Sequence, residues 1–386
     1  MALDPFFAGF LDDSHRAFYE VCARFTQNEI VPNVVEWEEA EFFPKELHRK
    51  AAEAGLLGVT MPEEYGGGGG DIFHMIMSTE AMLAAGSTGV AVGLGSLEIA
   101  LPPLLLLGTE TQKQRWIPPV LRGEQVAALA ITEPDTGSDV AGIKTRAKRE
   151  GDEYVLQGSK TFITSGVRAD MVVVLARTDP DPHAGLTFFV VEKGTEGFSV
   201  SKSLKKMGWR ASDTATLRFD ECRVPVENRI GEEGSGFVAL MQNFQNERMM
   251  LATQGHATAE VALAEAEQYA RDRQAFGRAI MGFQVTRHKL AHMSTLVRAA
   301  KALNYQVADA MRRGEHVLEA VSQAKNFSAQ AALEVCDHAV QIFGGMGYMR
   351  ETLVERLYRD ARLLPIGGGT SEIMNEIIGK CRGYGR

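Results

Sequence analysis

The sequence predicts an α+β fold in three sections: an N-terminal helical domain over residues 1–127, a middle antiparallel β-sheet or barrel domain over residues 128–232, and a C-terminal four-helix bundle over residues 233–386. Three observations lead there. Apolar residues recur at helical spacing in the first third. Between Tyr154 and Phe219, short β-branched and aromatic runs follow one another with only turn residues between them, which favours antiparallel pairing over βαβ units. From Gly236 onward the chain runs in three long stretches almost without helix breakers. At 386 residues it is also too long for one ordinary core.

The elements follow in order. Phe18, Val21, Cys22 and Phe25 mark one helix face, and Leu47, Ala51, Ala54 and Gly55 mark another. Residues 72–85 form a further apolar, helix-length run. The five glycines at 66–70 follow no strand and precede no basic residue, so they read as a flexible helix-to-helix loop, not a phosphate cradle. In the middle section, Tyr154, Val155 and Leu156 and then Thr161, Phe162, Ile163 and Thr164 read as two strands tightly joined around Gly158. Residues 171–176, 187–191 and 214–219 read as three more strands. Helices are expected over 237–270, interrupted only by Gly255, and over 284–312 and 317–343. Their surfaces, rich in Ala and Met, suggest packing on more than one side, in part against other subunits.

Composition narrows the function. A net charge of −9 argues against nucleic-acid binding by bulk charge. The four cysteines, Cys22, Cys222, Cys336 and Cys381, lie far apart, so reduced thiols are expected and neither a zinc knuckle nor a disulfide framework. The amino-terminal stretch lacks a basic region and reads as no secretory signal. Residues 100–108 are the most apolar segment, far short of the roughly 20 residues of a spanning helix. A cytoplasmic protein without stable membrane insertion is expected. His288 and His292 stand at metal-ligand spacing on a helix, but no carboxylate or third ligand accompanies them in the sequence, so no metal is expected.

Four blocks carry the chemistry. The first is Leu129, Ala130, Ile131, Thr132, then Glu133 to Asp139 with Gly137 and Ser138: small donors and a close backbone approach, as a flavin or phosphate requires, or else a turn capped by Ser138 or Asp139. The second is Phe162, Ile163 and Thr164, which would place an aromatic or a hydroxyl beside a planar ring, or simply form core strand. The third is Arg271 to Gly277 followed by Phe283 and Gln284. The fourth runs from Gln341 and Ile342 through Gly344 and Gly345 to Arg359 and Asp360, and on to Thr370, Ser371 and Glu372. In this order, with Lys206, Met207, Gly208, Trp209 and the later residues 220–225, they resemble the acyl-CoA dehydrogenase family over essentially the whole chain.

The resemblance implies an FAD cofactor between the β and helical domains. It assigns Leu129, Ala130, Ile131, Thr132, Gly137 and Ser138 to the isoalloxazine and pyrophosphate, and Phe162, Ile163 and Thr164 to the back of the flavin. Arg273, Gln274, Ala275, Phe276, Phe283 and Gln284, with Gln341, Ile342, Gly344 and Gly345, would bind the FAD of a neighbouring subunit. A guanidinium suits a diphosphate because its donors are fixed and charged. Thr370, Ser371 and Glu372 would complete the site at a helix N-terminus. Sites shared between chains imply at least a dimer, and the family norm is a homotetramer with electron-transfer flavoprotein as electron acceptor. His292 stands where many relatives carry Asp.

The base needs separate treatment. Dehydrogenation removes a weakly acidic proton α to a thioester, so the site must hold a base of raised pKa and donors for the developing enolate. Many members of the family take the base from a Tyr-Glu-Gly-Thr sequence before the last helix. This chain has Gly367, Gly368, Gly369 and Thr370 there. In the isovaleryl-CoA and long-chain branches the base is instead the Glu of a Glu-Arg pair on a helix. Glu247 and Arg248 match that pair, so Glu247 is the expected base, with Arg248 holding the geometry and the Gly368 N–H completing an oxyanion hole with a ribityl hydroxyl. Ser138, Phe244, Gln245, Arg248, Gly367 and Gly369 would border the acyl-CoA. Glycine at 367 and 368 leaves room for a 3-methyl branch, isovaleryl-like or citronellyl-like; a straight medium or long chain, an oxygen-using flavoenzyme, and a flavin scaffold without activity are the alternatives.

Overall fold

Asp12 and Asp71 start two helices in the same way. Asp12 caps α1 (Asp13–Phe25) and Asp71 caps α2 (Ile72–Leu83), each carboxylate accepting from the backbone N–H of a histidine three residues on, whose ring turns back to the cap. The His15 ring also reaches Asp71 Oδ1 at 2.9 Å, so one cap ties the two helices together. This is a computed structural model and it describes residues 4–385; residues 1–3, part of the stretch read as no secretory signal, and Arg386 lie outside the described residues.

The glycine run is a helix-to-helix loop, but it is pinned, not flexible. Gly68 N–H donates to Gly58 O at 3.0 Å, Gly69 to Met61 O at 2.9 Å and Gly70 to Val59 O at 2.8 Å. A β-carbon at Gly67 would lie 2.2 Å from Met61 O, so close backbone approach explains the glycine there.

Eight strands form one sheet: β1 (Ala127–Ala130), β2 (Arg146–Glu150), β3 (Glu153–Thr164), β4 (Met171–Arg177), β5 (Leu186–Glu192), β6 (Phe198–Ser203), β7 (Thr214–Pro225) and β8 (Arg229–Ile230). Their order is β6-β7-β3-β2-β4-β5-β8, with β1 beside β4. Two expectations are corrected. The residues read as two strands around Gly158 are the single strand β3, whose pairing with β7 shifts register between Leu156 and Gly158 and between Lys160 and Ile163. Bulges, not a turn, absorb the irregularity. The sheet is also mixed, because β1 pairs β4 in parallel from Ala127↔Met171 to Ala130↔Val174. A parallel pair needs a long crossover, here the β2–β3 hairpin with its flanking loops.

Five more helices follow the sheet: α3 (Gly236–Asp272), α4 (Gln284–Arg312), α5 (Leu318–Phe343), α6 (Leu353–Ala361) and α7 (Ser371–Arg382). Gly255 does not break α3. A β-carbon there would lie 2.8 Å from Ser328 O, so this glycine lets α3 and α5 cross closely. A buried polar joint binds α2 to α3 and α4: Glu80 Oε1 meets His256 Nε2 at 2.8 Å and Tyr305 Oη at 3.0 Å, and Glu80 Oε2 meets Lys301 Nζ at 3.1 Å. Among the described residues no single helix is long and apolar enough to cross a membrane. One pair bent by 48°, Thr88–Leu94 with Leu97–Leu107, passes by length and composition, and its Val90, Leu94, Leu97, Leu101 and Leu104 lie in the core.

Candidate active site

Sequence segments far apart converge on three places. At the first, Glu133 and Lys160 form a buried ion pair at 2.9 Å, and Lys160 also donates to Ile131 O at 2.8 Å. Glu133 accepts from the Lys144 and Thr145 N–H groups as well, at 2.7 and 2.9 Å. Burial lowers the Lys160 pKa to about 8 against the pull of Glu133. The pair fastens the 131–138 loop to β3, and Thr161 N–H closes the join on Thr132 O at 2.8 Å. The sequence reading passed over Lys160, whose only local signal is a lysine within a strand; that its ammonium would be buried against Glu133 depends on the fold.

Beside this clamp, Phe162 sits at a bulge with φ 60° and is 69% exposed, a ring turned outward on strained backbone. Thr132 and Thr164 are half-buried, Gly137 and Ser138 exposed, and nothing lies within 4 Å of a β-carbon placed at Gly137. The side chains of Ala130, Ile131 and Ile163 are buried, Ala130 and Ile163 in one apolar cluster and Ile131 in another, so they would offer a ligand only backbone.

The third and fourth blocks meet elsewhere. Ala275, Phe276, Phe283, Gln341 and Ile342 line one open bay of about 390 Å³, which residues 129–138 and 162–164 do not enter. Phe276 is 96% exposed there. Arg273, Gln274 and Gln284 are exposed close by, with Gln274–Ala275 pairing Arg278–Ala279 in a short ribbon. Gly344 and Gly345 follow the end of α5 with open space where β-carbons would stand. One correction belongs to the histidines: α5 brings Glu334 Oε1 to 2.6 Å from His292 Nε2, with His338 beside it, while His288 faces Gln284. A carboxylate and a third ligand group do accompany His292.

The expected base stands at the third convergence. Glu247 lies on α3, and a β-carbon built on Gly368 would come 3.4 Å from its Oε1. The carboxylate therefore occupies the space that a side chain at 368 would enter. Gly368 has φ +63°, and among the described residues its N–H makes no hydrogen bond. Burial pushes the Glu247 pKa up to about 7, against the pull of Arg248 and Lys325. No ion pair joins Glu247 to Arg248 among the described residues; Arg248 stacks instead over the Phe244 ring at 5.6 Å, and its Nε is buried without a partner. Gln245 is half-buried on the same helix.

Lys325 of α5 was missed by sequence reasoning. It is buried, donates to Gly369 O at 2.5 Å, and so fixes the glycine loop next to Glu247; burial lowers its pKa to about 8. Its sequence signal is a lysine on the apolar face of an amphipathic helix. Asn326 continues the link, donating to Ser371 O at 3.2 Å. Thr370 caps α7 through Ile373 N–H at 3.3 Å, so Thr370, Ser371 and Glu372 do open a helix. Residues 206–209 dock on the fourth block: Trp209 N–H donates to Asp360 Oδ1 at 2.6 Å, and a β-carbon at Gly208 would strike Arg359 O at 2.5 Å.

Three family models match in succession: the acyl-CoA dehydrogenase N-terminal domain over residues 12–124, the middle domain over 128–222 and the C-terminal domain over 234–381. The chain belongs to the acyl-CoA dehydrogenase family. It is 37% identical over 369 residues to the rat mitochondrial long-chain specific acyl-CoA dehydrogenase, covering 95% of this chain and 86% of that one. It is 38% identical over 373 residues to the mitochondrial isovaleryl-CoA dehydrogenase of Oryza sativa subsp. japonica, covering 96% and 91%. A solved structure of a probable acyl-CoA dehydrogenase from Mycobacterium abscessus superposes with a TM-score of 0.95 at 48% identity, covering 97% and 100%. As an acyl-CoA dehydrogenase the protein is an FAD-dependent oxidoreductase acting on an acyl-CoA. The residues present fit that cofactor: an outward aromatic face at Phe162, uncovered glycine backbone at Gly137, and hydroxyls on Thr132, Ser138 and Thr164. FAD, when bound, supplies the two-electron acceptor of the dehydrogenation.

Proposed function

We propose that Glu247 is the base of this acyl-CoA dehydrogenase and that its substrate is a 3-methyl-branched acyl-CoA, converted to the trans-2-enoyl-CoA. The observation that carries the reading is the Glu247 carboxylate beside Gly368, with the unspent Gly368 N–H next to it. A base and an oxyanion donor on adjacent walls suit proton removal α to a thioester: the carboxylate takes the proton while the N–H steadies charge on the carbonyl oxygen. Arg248 and Lys325 keep the carboxylate ionisable in a half-dry site, and Phe244, Gln245, Gly367 and Gly369 border the chain.

Support for the branch is spatial. A β-carbon at Gly367 would make only ordinary contact with Leu363, at 3.7 Å and beyond, so a side chain fits there and glycine leaves its volume free. An unfilled void forfeits contacts, and a methyl branch would recover them. The bay around Phe276 supports a second chain closing over the FAD, which suits the homotetramer implied by the resemblance, and electron-transfer flavoprotein is the acceptor that suits a dehydrogenase of this family.

The test compares anaerobic flavin bleaching by isovaleryl- and citronellyl-CoA with straight chains of equal length, in wild type and Gly367→Tyr. Gly367 does not occupy the positive-φ region, so Tyr is sterically admissible. Wild type should prefer the branched chain and Gly367→Tyr should lose that preference. A wild type that prefers the straight chain, or a Gly367→Tyr that harms both alike, overturns the branched reading. Fast reoxidation of the reduced enzyme in air would argue for an oxygen-using enzyme instead.

A further inference from the structure

A second cavity lies further along the helix that carries Glu247. It is lined by Val59, Ser78, Thr79, Glu98, Met250 and Gln254 among others, and at about 40 Å³ it is narrow enough for a chain end but not for a ring. Met250 and Gln254 follow Glu247 by one and two turns of α3, on the same stripe. The cavity therefore lies up to about 10 Å along α3 from the base.

Most of its wall is apolar, as an acyl tail requires. Two groups break the pattern. Gln254 is 2% exposed, and its Oε1 is buried with no hydrogen-bond partner. Such an orphan is costly unless something satisfies it. Glu98 adds a half-buried carboxyl, anchored on one oxygen by Thr60 Oγ1 at 3.3 Å and bordered by the backbone of Gly58 and Val59. Burial pushes its pKa up to about 7. Ser78 and Thr79 do not compensate Gln254: the Thr79 hydroxyl is spent on Met75 O at 2.9 Å, and Ser78 faces Cys22. For a purely hydrocarbon tail, an orphaned amide oxygen and a carboxyl are both unfavourable walls.

Resting on the acyl-CoA reading above, we propose that this cavity receives the far end of the acyl chain and selects a chain that carries a hydroxyl there, which donates its one proton to Gln254 Oε1 and lies against the Glu98 carboxyl group. A chain advancing about 1.3 Å per extended bond reaches it at roughly ten carbons.

The test is calorimetric binding of CoA thioethers, which lack the thioester and cannot be dehydrogenated, to the FAD-loaded enzyme. S-decyl-CoA is compared with its ω-hydroxy counterpart, and S-butyl-CoA reports the CoA site itself. The hydroxyl should tighten binding roughly ten-fold, the worth of one hydrogen bond to a charged or buried partner. Glu98→Leu and Gln254→Leu should each cut that ratio, and Glu98→Gln should keep much of it. Equal affinity with and without the hydroxyl in wild type overturns this inference alone, and needs no variant to fold. Failure of every thioether to bind, S-butyl-CoA included, overturns the acyl-CoA reading and this inference with it.

Discussion

Glu247 has the environment of a base. An ordinary carboxylate is too weak to take an α-proton, and burial pushes this one up to about 7, where it is still largely ionised at a slightly alkaline pH. Arg248 and Lys325 prevent it from rising further. Glu247→Gln keeps the shape and the hydrogen bonds but cannot accept the proton. It should lower the rate of flavin bleaching about 10²–10⁴-fold while substrate still binds. In wild type, kcat/KM should rise with pH through about 7, because the carboxylate is the active form, and the residual activity of Glu247→Gln should lack that limb. Stopped-flow bleaching across pH reads both, and full activity in Glu247→Gln would sink the assignment.

At the scale of elements, the proposed site sets the base on helix α3 and the room for it in the glycine loop before α7. Moving the carboxylate back to the loop, with Glu247→Gly and Gly368→Glu together, returns it to the same small space. The return is incomplete for two reasons. Gly368 holds φ +63°, where a side chain is strained, and its β-carbon would press on Leu251 Cδ1 at 2.2 Å. The double variant should therefore regain only part of the activity lost in Glu247→Gly. Adding Leu251→Ala should raise it, since the clash is with the end of a movable side chain. Activity assays on the three variants decide this, and a triple variant no better than Glu247→Gly would refute the shared space.

Over the whole molecule, two features bind parts that are distant in sequence. Glu80 is buried; burial alone would raise its pKa, but Lys301 and His256 outweigh it and hold the carboxyl down to about 2. A depressed folded pKa stabilises above the unfolded value near 4.5, and that stability is lost as pH falls toward 2. Glu80→Gln should cost about 3–5 kcal/mol at neutral pH, since Lys301 stays buried with a weaker set of partners. The gap to wild type in urea midpoint should close as pH falls through that window, and a gap independent of pH would refute the linkage. Phe276 is the second feature: at 96% exposure it has almost no cover within the chain. Phe276→Asp should lower both the assembled mass by light scattering and the FAD retained on purification. A wild type that is a colourless monomer and takes up no flavin would overturn the shared-cofactor assembly.

Local regularities of the sequence were enough for the succession of helices, strands and helices, because 3.6- and two-residue periods are printed in the order of side chains. They located α4 at 284–312, and α3 to within two residues of its ends. The proposed relocation of the base from the loop, where Gly368 stands, to Glu247 was legible for a different reason, being a substitution within recognisable motifs. Only the tertiary structure decided the rest. That β3 runs unbroken past Gly158, and that β1 lies parallel to β4, depend on strands paired across tens of residues. Ala130, Ile131 and Ile163 sit within recognisable cofactor motifs, yet packing buries their side chains, Ala130 and Ile163 in one cluster and Ile131 in another. Lys160, Lys325 and Glu80 look like ordinary charged residues in the sequence. Each is buried because its partner arrives from another element, Glu133, the Gly369 carbonyl and Lys301 respectively. A charge can leave water only where its counterpart is already in place, and that condition belongs to the folded chain.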